Sequence, residues 1–355
     1  MSEPPSDEAQ VQFLLHVQRL LNEGLFTATY KYALLLALAD IAVEIGDYSG
    51  APVLVPISRI AQKYIVYYWR QAVPYFPQIG QPGIILQQNT DRQAAIVAAI
   101  AEARNKYGTI VNLQRDGHAW GRLVARVAGY FWQQPLWRLQ RIGDRVLDFL
   151  YENRQVGARV RDIELRPGVA FCLRRFHGLL TQMVRNDWLT YIRKVNNVAL
   201  GAGSDLGEFL FGSARADLSG IRPILARLQG GRCFYCGQDL VGEGDVDHFI
   251  PWSRYPVDLG HNFVAAHSTC NLAKGSRLAA EEHLARWARR NVSFGADIAA
   301  ACDEVGMMHD LVASVRIAAW AYEQTAASNG LLWLANVALV ETTGRWREAL
   351  EAEAI

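Results

Sequence analysis

From Gln10 to Leu21 the apolar residues Val11, Leu14, Leu15, Val17, Leu20 and Leu21 recur at helical spacing, and the run stops near Gly24. Thr27 or Thr29 is placed to cap a second helix from Tyr30 to about Ile45, ended by Gly46-Asp47. Ser58 opens a third, through Ile60, Ile65 and Trp69, broken before Pro74. The Pro/Gly/Gln stretch up to Thr90 reads as loop, and Asp91–Tyr107, Trp120–Trp132 and Trp137–Tyr151 read as further helices. Arg159–Ile163 alternates as a strand does, and Val169–Trp188 returns to helix with Phe176, Leu180 and Met183 on one side. Gly201, Gly203, Ser204, Gly207 and Gly212 give residues 196–216 a linker composition. A short helix ends near Leu228 and accommodates Pro223 only in its first turn. Residues 232–277 have a different, compact texture, and beyond His283 the pattern is helical to Leu350.

The expected fold is therefore mainly α, with a small module inserted between helical regions. The expected division is a helical region over 1–195, a Gly-rich linker over 196–216, the module over 217–290, and C-terminal helices over 291–355. Those last helices are expected to pack on the module, which is too small to bury much core alone. A length of 355 residues suits two or three domains. With 51% hydrophobic and 20% charged residues, a disordered chain, a collagen-like repeat and a disulfide-dense secreted scaffold are excluded. The uncharged stretches Gln71–Thr90 and Gln324–Val340 are too polar or too short to span a bilayer, which needs about 20 predominantly apolar residues. No membrane partner is expected, the acidic, polar N-terminus is not a signal peptide, and the expected location is cytoplasmic.

The net charge of +1 conceals an uneven distribution: −3 over 1–103, +10 over 104–194 and −6 over 195–355. Fifteen of the 17 cations in the middle third are Arg, whose planar fork suits phosphate, so that stretch is a candidate platform for a polyanion. Ordinary solvated helix faces, or pairing with Asp144, Asp148 and Glu152, account equally well for any single one of these Arg. Tyr67, Tyr68, Trp69, Phe131 and Trp132 are of a type that stacks on bases, but inside helical segments they read first as core.

Chemistry concentrates in residues 232–277. Cys233 and Cys236 are two residues apart, and His267 and Cys270 repeat the spacing 30 residues later. Two such knuckles supply three thiolates and an imidazole, a closed tetrahedral set for structural zinc. The second knuckle argues against a Cys-x-x-Cys redox pair. Cys172 and Cys302 sit alone in apolar segments and read as inert core thiols.

Between and after the knuckles run Asp247-His248, Pro251, Asn262, Asn271, Lys274 and Arg277. This order, Cys-x-x-Cys, Asp-His-x-x-Pro, Asn-Phe-Val, x-x-Cys-Asn-x-x-Lys, resembles the HNH nucleases, the zinc-stapled branch of the ββα-metal endonucleases. The likeness covers about 46 of 355 residues, and it departs from the commoner Cys at His267. It implies a ββα-metal module at 217–290, acting as a nuclease domain. It also implies one catalytic Mg²⁺ or Mn²⁺ held by Asp247 and Asn271, and His248 as general base, whose ordinary pKa lies near neutrality. Asn262 would hold the loop that carries His248. Lys274, on the helical face of Asn271, would reach the phosphate with Arg277 a turn further on. His261 either approaches substrate or faces solvent. In an ideal strand Asp247 and His248 face opposite ways, so action on one phosphate requires the strand to end or twist there.

The resemblance thus implies a metal-dependent endonuclease acting on DNA, duplex first and RNA as the alternative. By analogy with HNH modules joined to large partner regions, it suggests bacterial host defence of restriction or abortive-infection type. Two other readings stay open: an effector gated by a protein partner or signal, and a non-catalytic zinc-stapled nucleic-acid-binding module.

Overall fold

The computed structural model describes residues 2–76, 82–90, 95–131, 135–153, 161–197, 200, 206–212 and 218–351. It divides into two compact units, Met1–Gly212 and Ser213–Ile355.

In the first unit α1 (Asp7–Glu23) starts at Ser6, whose hydroxyl accepts from the Ala9 amide, with Asp7 and Glu8 at the positive helix end. The segment of α2 (Tyr30–Ile45) is apolar nearly all round, so it becomes the central helix and is buried along most of its length. Against it pack α3 (Ile57–Gln71), α8 (Val169–Arg175) and α9 (His177–Val195). The layer is completed by α4 (Ala95–Tyr107), α5 (Ile110–Arg115), α6 (Gly117–Phe131), α7 (Pro135–Arg138) and α10 (Leu206–Phe211). Two short antiparallel pairs are attached: β1 (Val53–Pro56) with β4 (Asp162–Leu165), and β2 (Arg141–Ile142) with β3 (Arg145–Val146).

The expected helix over Trp137–Tyr151 is not formed. The chain leaves α7 at Arg138 and turns back through Gly143-Asp144, with Gly143 at φ 54°, to make the β2–β3 hairpin. The single expected helix over Val169–Trp188 is two, divided at Phe176. In the stretch expected as linker, Leu206 and Leu210 of α10 are buried against the core, whereas residues 198–199, 201–205 and 213–217 lie outside the described ones. Tyr68, Trp69 and Phe131 are core, and Tyr67 donates to Asp40, so this aromatic group is structural; Trp132 lies outside the described residues. The Arg-rich middle is mixed. Arg174 is buried and donates to the Ala42 and Val43 carbonyls near the end of α2, and Arg126 and Arg166 pair with Glu102 and Asp148. Arg122, Arg145, Arg175 and Arg193 are exposed.

A buried polar cluster ties α2 to α3 and α9. Asp40 accepts from His177 Nε2 at 2.7 Å and from the Tyr67 hydroxyl at 2.6 Å. Burial alone would raise its pKa, but the His177 hydrogen bond, the Lys63 charge and Tyr67 outweigh that and hold it at about 2. A carboxylate depressed in the folded state stabilises above its unfolded value near 4 and loses that contribution as pH falls toward 2. Thermal unfolding of this unit is therefore expected to lose about 2 kcal/mol between pH 4 and 2 through Asp40. In Asp40→Asn that part of the acid dependence disappears. An unchanged acid limb in the variant would remove Asp40 as its source.

The second unit begins with α11 (Arg222–Leu228), which carries Pro223 in its first turn. Then come β5 (Asp245–His248), one 3-10 turn at Gly260–Asn262, β6 (Phe263–Ala266) and α12 (Ser268–Lys274). Strand β6 pairs antiparallel with β5, in the order β–β–α. All four β6 residues are buried, and Phe263 and Ala265 join Ile221, Leu225, Ile298 and Cys302 in one core. Next come α13 (Glu281–Val305) and α14 (Leu311–Ala327).

The tail is not helical throughout, as expected from His283 on. Asn329-Gly330 ends α14, and β7 (Leu331–Ala335) folds back on β8 (Ala338–Glu341) through Asn336 at φ 49°, before α15 (Trp346–Glu351). Trp333 of β7 is buried and exchanges backbone hydrogen bonds with Leu278 and Ala280, so the hairpin is stitched to the chain just after α12. No helix among the described residues is long and apolar enough to cross a membrane.

Candidate active site

The first knuckle is a tight turn: Gly237, at φ 72°, donates its amide to the Cys233 carbonyl, which brings Cys236 back beside Cys233. His267 and Cys270 come from the start of α12, and the four ligand atoms lie within 4.8 Å of one another. The His267 Nε2–H donates to the Asp239 carbonyl at 3.0 Å, leaving the Nδ1 lone pair 3.3 Å from Cys236 Sγ, inside the cluster. Burial and the neighbouring Cys233 and Cys236 sulfurs push the Cys270 thiol up to about 12, a repulsion that a divalent cation offsets. The donor set and its closeness fit tetrahedral zinc with no open position, a structural site. Cys172 and Cys302 are buried elsewhere, their thiols pushed up to about 12 by burial.

Strand β5 ends at His248. Its side chain lies edge-on to Phe263, directly opposite on β6, and to Trp252, with ring centres 4.8 and 5.3 Å away. Nε2 is 2.6 Å from Asp258 Oδ1, and both side chains are only about a tenth exposed. Beyond His248 the loop is held by Asn262, whose Oδ1 accepts from the Ile250 amide while Nδ2 donates to the Ile250 carbonyl. Helix α13 clamps the other side of the loop. Trp287 Nε1, Arg290 Nη2 and Asn291 Nδ2 all donate to the His261 carbonyl, and Arg290 also donates to the Phe263 carbonyl. Arg290 is buried, and that burial pulls its pKa down to about 9.

Asp247 faces the other side of β5. Its Oδ2 accepts from the Tyr235 hydroxyl and from Lys274 Nζ at 2.9 Å, and Lys274 also donates to the His248 carbonyl. The structure thus gives the Asp247 and His248 side chains separate partners, with Lys274 also bonding the His248 backbone. Lys274 has no exposed surface: the short helix α12 packs on β5, and the Lys274 ammonium meets the Asp247 carboxylate. His261 does not approach the surface either. It is buried with Nε2 on the Gly295 carbonyl, and burial lowers its pKa. Asn271 is half-buried one turn before Lys274, and Arg277 is exposed just past α12. Both of these Asp247 contacts, with Tyr235 and Lys274, fall on Oδ2.

Breaking a buried pair strands the remaining charge. Lys274→Met is expected to cost about 3–5 kcal/mol in chemical denaturation of the chain, and Lys274→Met with Asp247→Asn to recover most of it. Additive losses in the double variant would mean that the two groups are not coupled.

Asp258, Tyr235, Arg290 and Trp287 escaped the sequence reading. Tyr235 stands between two zinc ligands and Asp258 in an irregular loop, where no period exists to expose them. Trp287 and Arg290 share a face of α13 with the apolar stripe, and there they pass for ordinary helix residues.

Residues 11–118 match a domain of unknown function (DUF8808). Neither a curated protein nor a solved structure matches the chain. The segment from Cys233 to Arg277, which holds the zinc cluster, His248 and Asn262, matches the family described as HNH endonuclease, so the chain carries an HNH endonuclease domain at residues 233–277.

Proposed function

We propose that the chain is a metal-dependent endonuclease that hydrolyses DNA phosphodiester bonds, with His248 as general base. The observation that best supports this is the His248–Asp258 contact inside the HNH segment. An imidazole whose Nε2–H faces a carboxylate bears its lone pair on Nδ1, the form that takes a proton from water. Asn262 and the α13 clamp fix the loop, so that His248 is held rather than searching for its position. Asp247 Oδ1 and the Asn271 amide would hold a Mg²⁺ or Mn²⁺, which supplies positive charge on the phosphate and on the leaving oxygen. Exposed cations of the first unit and Arg277 are the proposed phosphate contacts. Host defence, of restriction or abortive-infection type, is the proposed setting, on the pairing of a small HNH domain with a large unrelated region.

A supercoiled-plasmid assay in Mg²⁺, Mn²⁺ and EDTA tests the activity. Nicked or linear product in the metals and none in EDTA is expected, with a matched RNA substrate separating the sugar preference. The engagement of Asp247 by Lys274 and Tyr235 favours a second reading, a non-catalytic zinc-stapled binder. Such a module retains DNA equally with or without Mg²⁺ and releases no product. An effector gated by a protein partner is inactive alone and cuts once that partner is added.

A further inference from the structure

In the first unit a cavity of about 350 Å³ lies among the turn that precedes α2, the first turn of α2, α7 and the β2–β3 hairpin. Tyr30, Pro135 and Trp137 contribute apolar and aromatic wall, while Lys31, Arg138 and Arg141 bring three cations to the same lining. Lys31 is only 7% exposed, and no carboxylate pairs with it among the described residues. Its ammonium lies 5.1 Å from the Phe26 ring centre, and burial together with Arg138 and Arg141 pushes its pKa down to about 8. The Arg138 and Arg141 guanidiniums lie 4.8 and 5.6 Å from the Trp137 ring centre.

A second feature points the same way. The Thr29 side chain does not cap α2, its hydroxyl being engaged by Tyr68 and Gln88. The N-terminal end of this 16-residue helix, the positive end of its dipole, is thus at the cavity that Tyr30 and Lys31 line. An enclosed ammonium beside two guanidiniums is unfavourable unless an anion offsets it.

We propose that this cavity binds a nucleoside phosphate, with the phosphate on Lys31, Arg138, Arg141 and the α2 amides. Ring and guanidinium planes provide the surface on which a base stacks. Asp144, also in the lining, repels a bare anion but accepts from an exocyclic amine, so an amino-bearing base is favoured. The volume is at the small end of the roughly 300–1,000 Å³ of ligand pockets, which suits one nucleotide unit. This inference does not rest on the nuclease reading.

Calorimetric titration of the full zinc-loaded chain tests it with dAMP, dTMP, deoxyadenosine and inorganic phosphate. A 5′-phosphorylated tetranucleotide completes the set. The expected result is one site for dAMP, at least ten-fold tighter than for deoxyadenosine or phosphate, and weaker binding of dTMP. Lys31→Met should cut dAMP affinity at least ten-fold without lowering Tm, because it removes an unpaired buried charge. Arg141→Gln, on the hairpin, should weaken binding independently of the α2 position. Tetranucleotide binding tighter than dAMP would identify a strand end as the source of the same chemistry. Phosphate binding as tight as dAMP, or no binding at all, would overturn the proposal, and neither result depends on whether the chain cuts DNA.

Discussion

His248→Ala is expected to lower metal-dependent DNA cleavage by about 10²–10⁴-fold while leaving DNA affinity and zinc content unchanged. The separation of effects follows from the position of the ring. His248 is at the last residue of β5, touches Phe263 and Trp252 by ring edges, and meets Asp258 through Nε2, while the zinc ligands are carried by the knuckle turn and α12. Removing the imidazole therefore takes away the proposed proton acceptor without disturbing the staple. Asp258→Asn sharpens the test. The amide presents an N–H to Nε2, which favours the tautomer with the proton on Nδ1, so cleavage should fall by about the same order although the side-chain shape is kept. The ring ¹⁵N spectrum should show the tautomer change directly, whether or not the chain cuts DNA. Normal cleavage in His248→Ala would remove it as base. Loss of activity accompanied by loss of zinc or of DNA binding would show that the ring is structural.

The His248–Asp258 pair also shows what the sequence could and could not disclose. The zinc cluster was legible because its evidence is spacing: two residues between each pair of ligands and a compact segment between the pairs, whatever the surrounding fold. The central helix α2 was legible because its apolar residues run nearly all round, which only burial satisfies. The β2–β3 hairpin was not, because Trp137, Leu139, Ile142, Val146 and Phe149 mimic a helical stripe, and the decision falls to Gly143-Asp144 alone. The β7–β8 hairpin hid in the same way inside an uncharged stretch, where Asn329-Gly330 and Asn336 set the turns. Lys274 shows a different limit. Its spacing from Asn271 places it on the right face of α12, but whether that face meets solvent or β5 is a matter of tertiary packing, and packing gives its ammonium to Asp247. The partners that hold the site, Arg290, Trp287 and Asp258, act through backbone carbonyls or a single loop contact, and neither leaves a periodic trace.

Cys236→Ser is expected to abolish zinc binding and unfold the unit from Ser213 onward. The staple joins two segments whose other ties are few and small: the Phe234 and Gln229 hydrogen bonds to Ala265 and a short shared apolar core. The first knuckle follows α11, the second opens α12, and between them β5 and β6 form a sheet of only two strands. Structural zinc of this kind supplies roughly 10–16 kcal/mol of apparent binding free energy, against a typical total stability of about 5–15 kcal/mol. Since Cys236 is exposed, the substitution opens no core cavity, and the loss is attributable to the metal rather than to packing. The core of the first unit is built on α2, α3, α6 and α9 without any of these ligands, so it should persist. In the variant, or in wild type stripped by a strong chelator, limited proteolysis should therefore digest residues beyond about 213 and spare a helical N-terminal fragment. Cys302→Ala, which alters a buried thiol outside the cluster, should keep full zinc content. A Cys236→Ser chain that stays protease-resistant with no bound zinc would show that α13 and the β7–β8 hairpin hold the module unaided, and the metal would then have to be assigned another role.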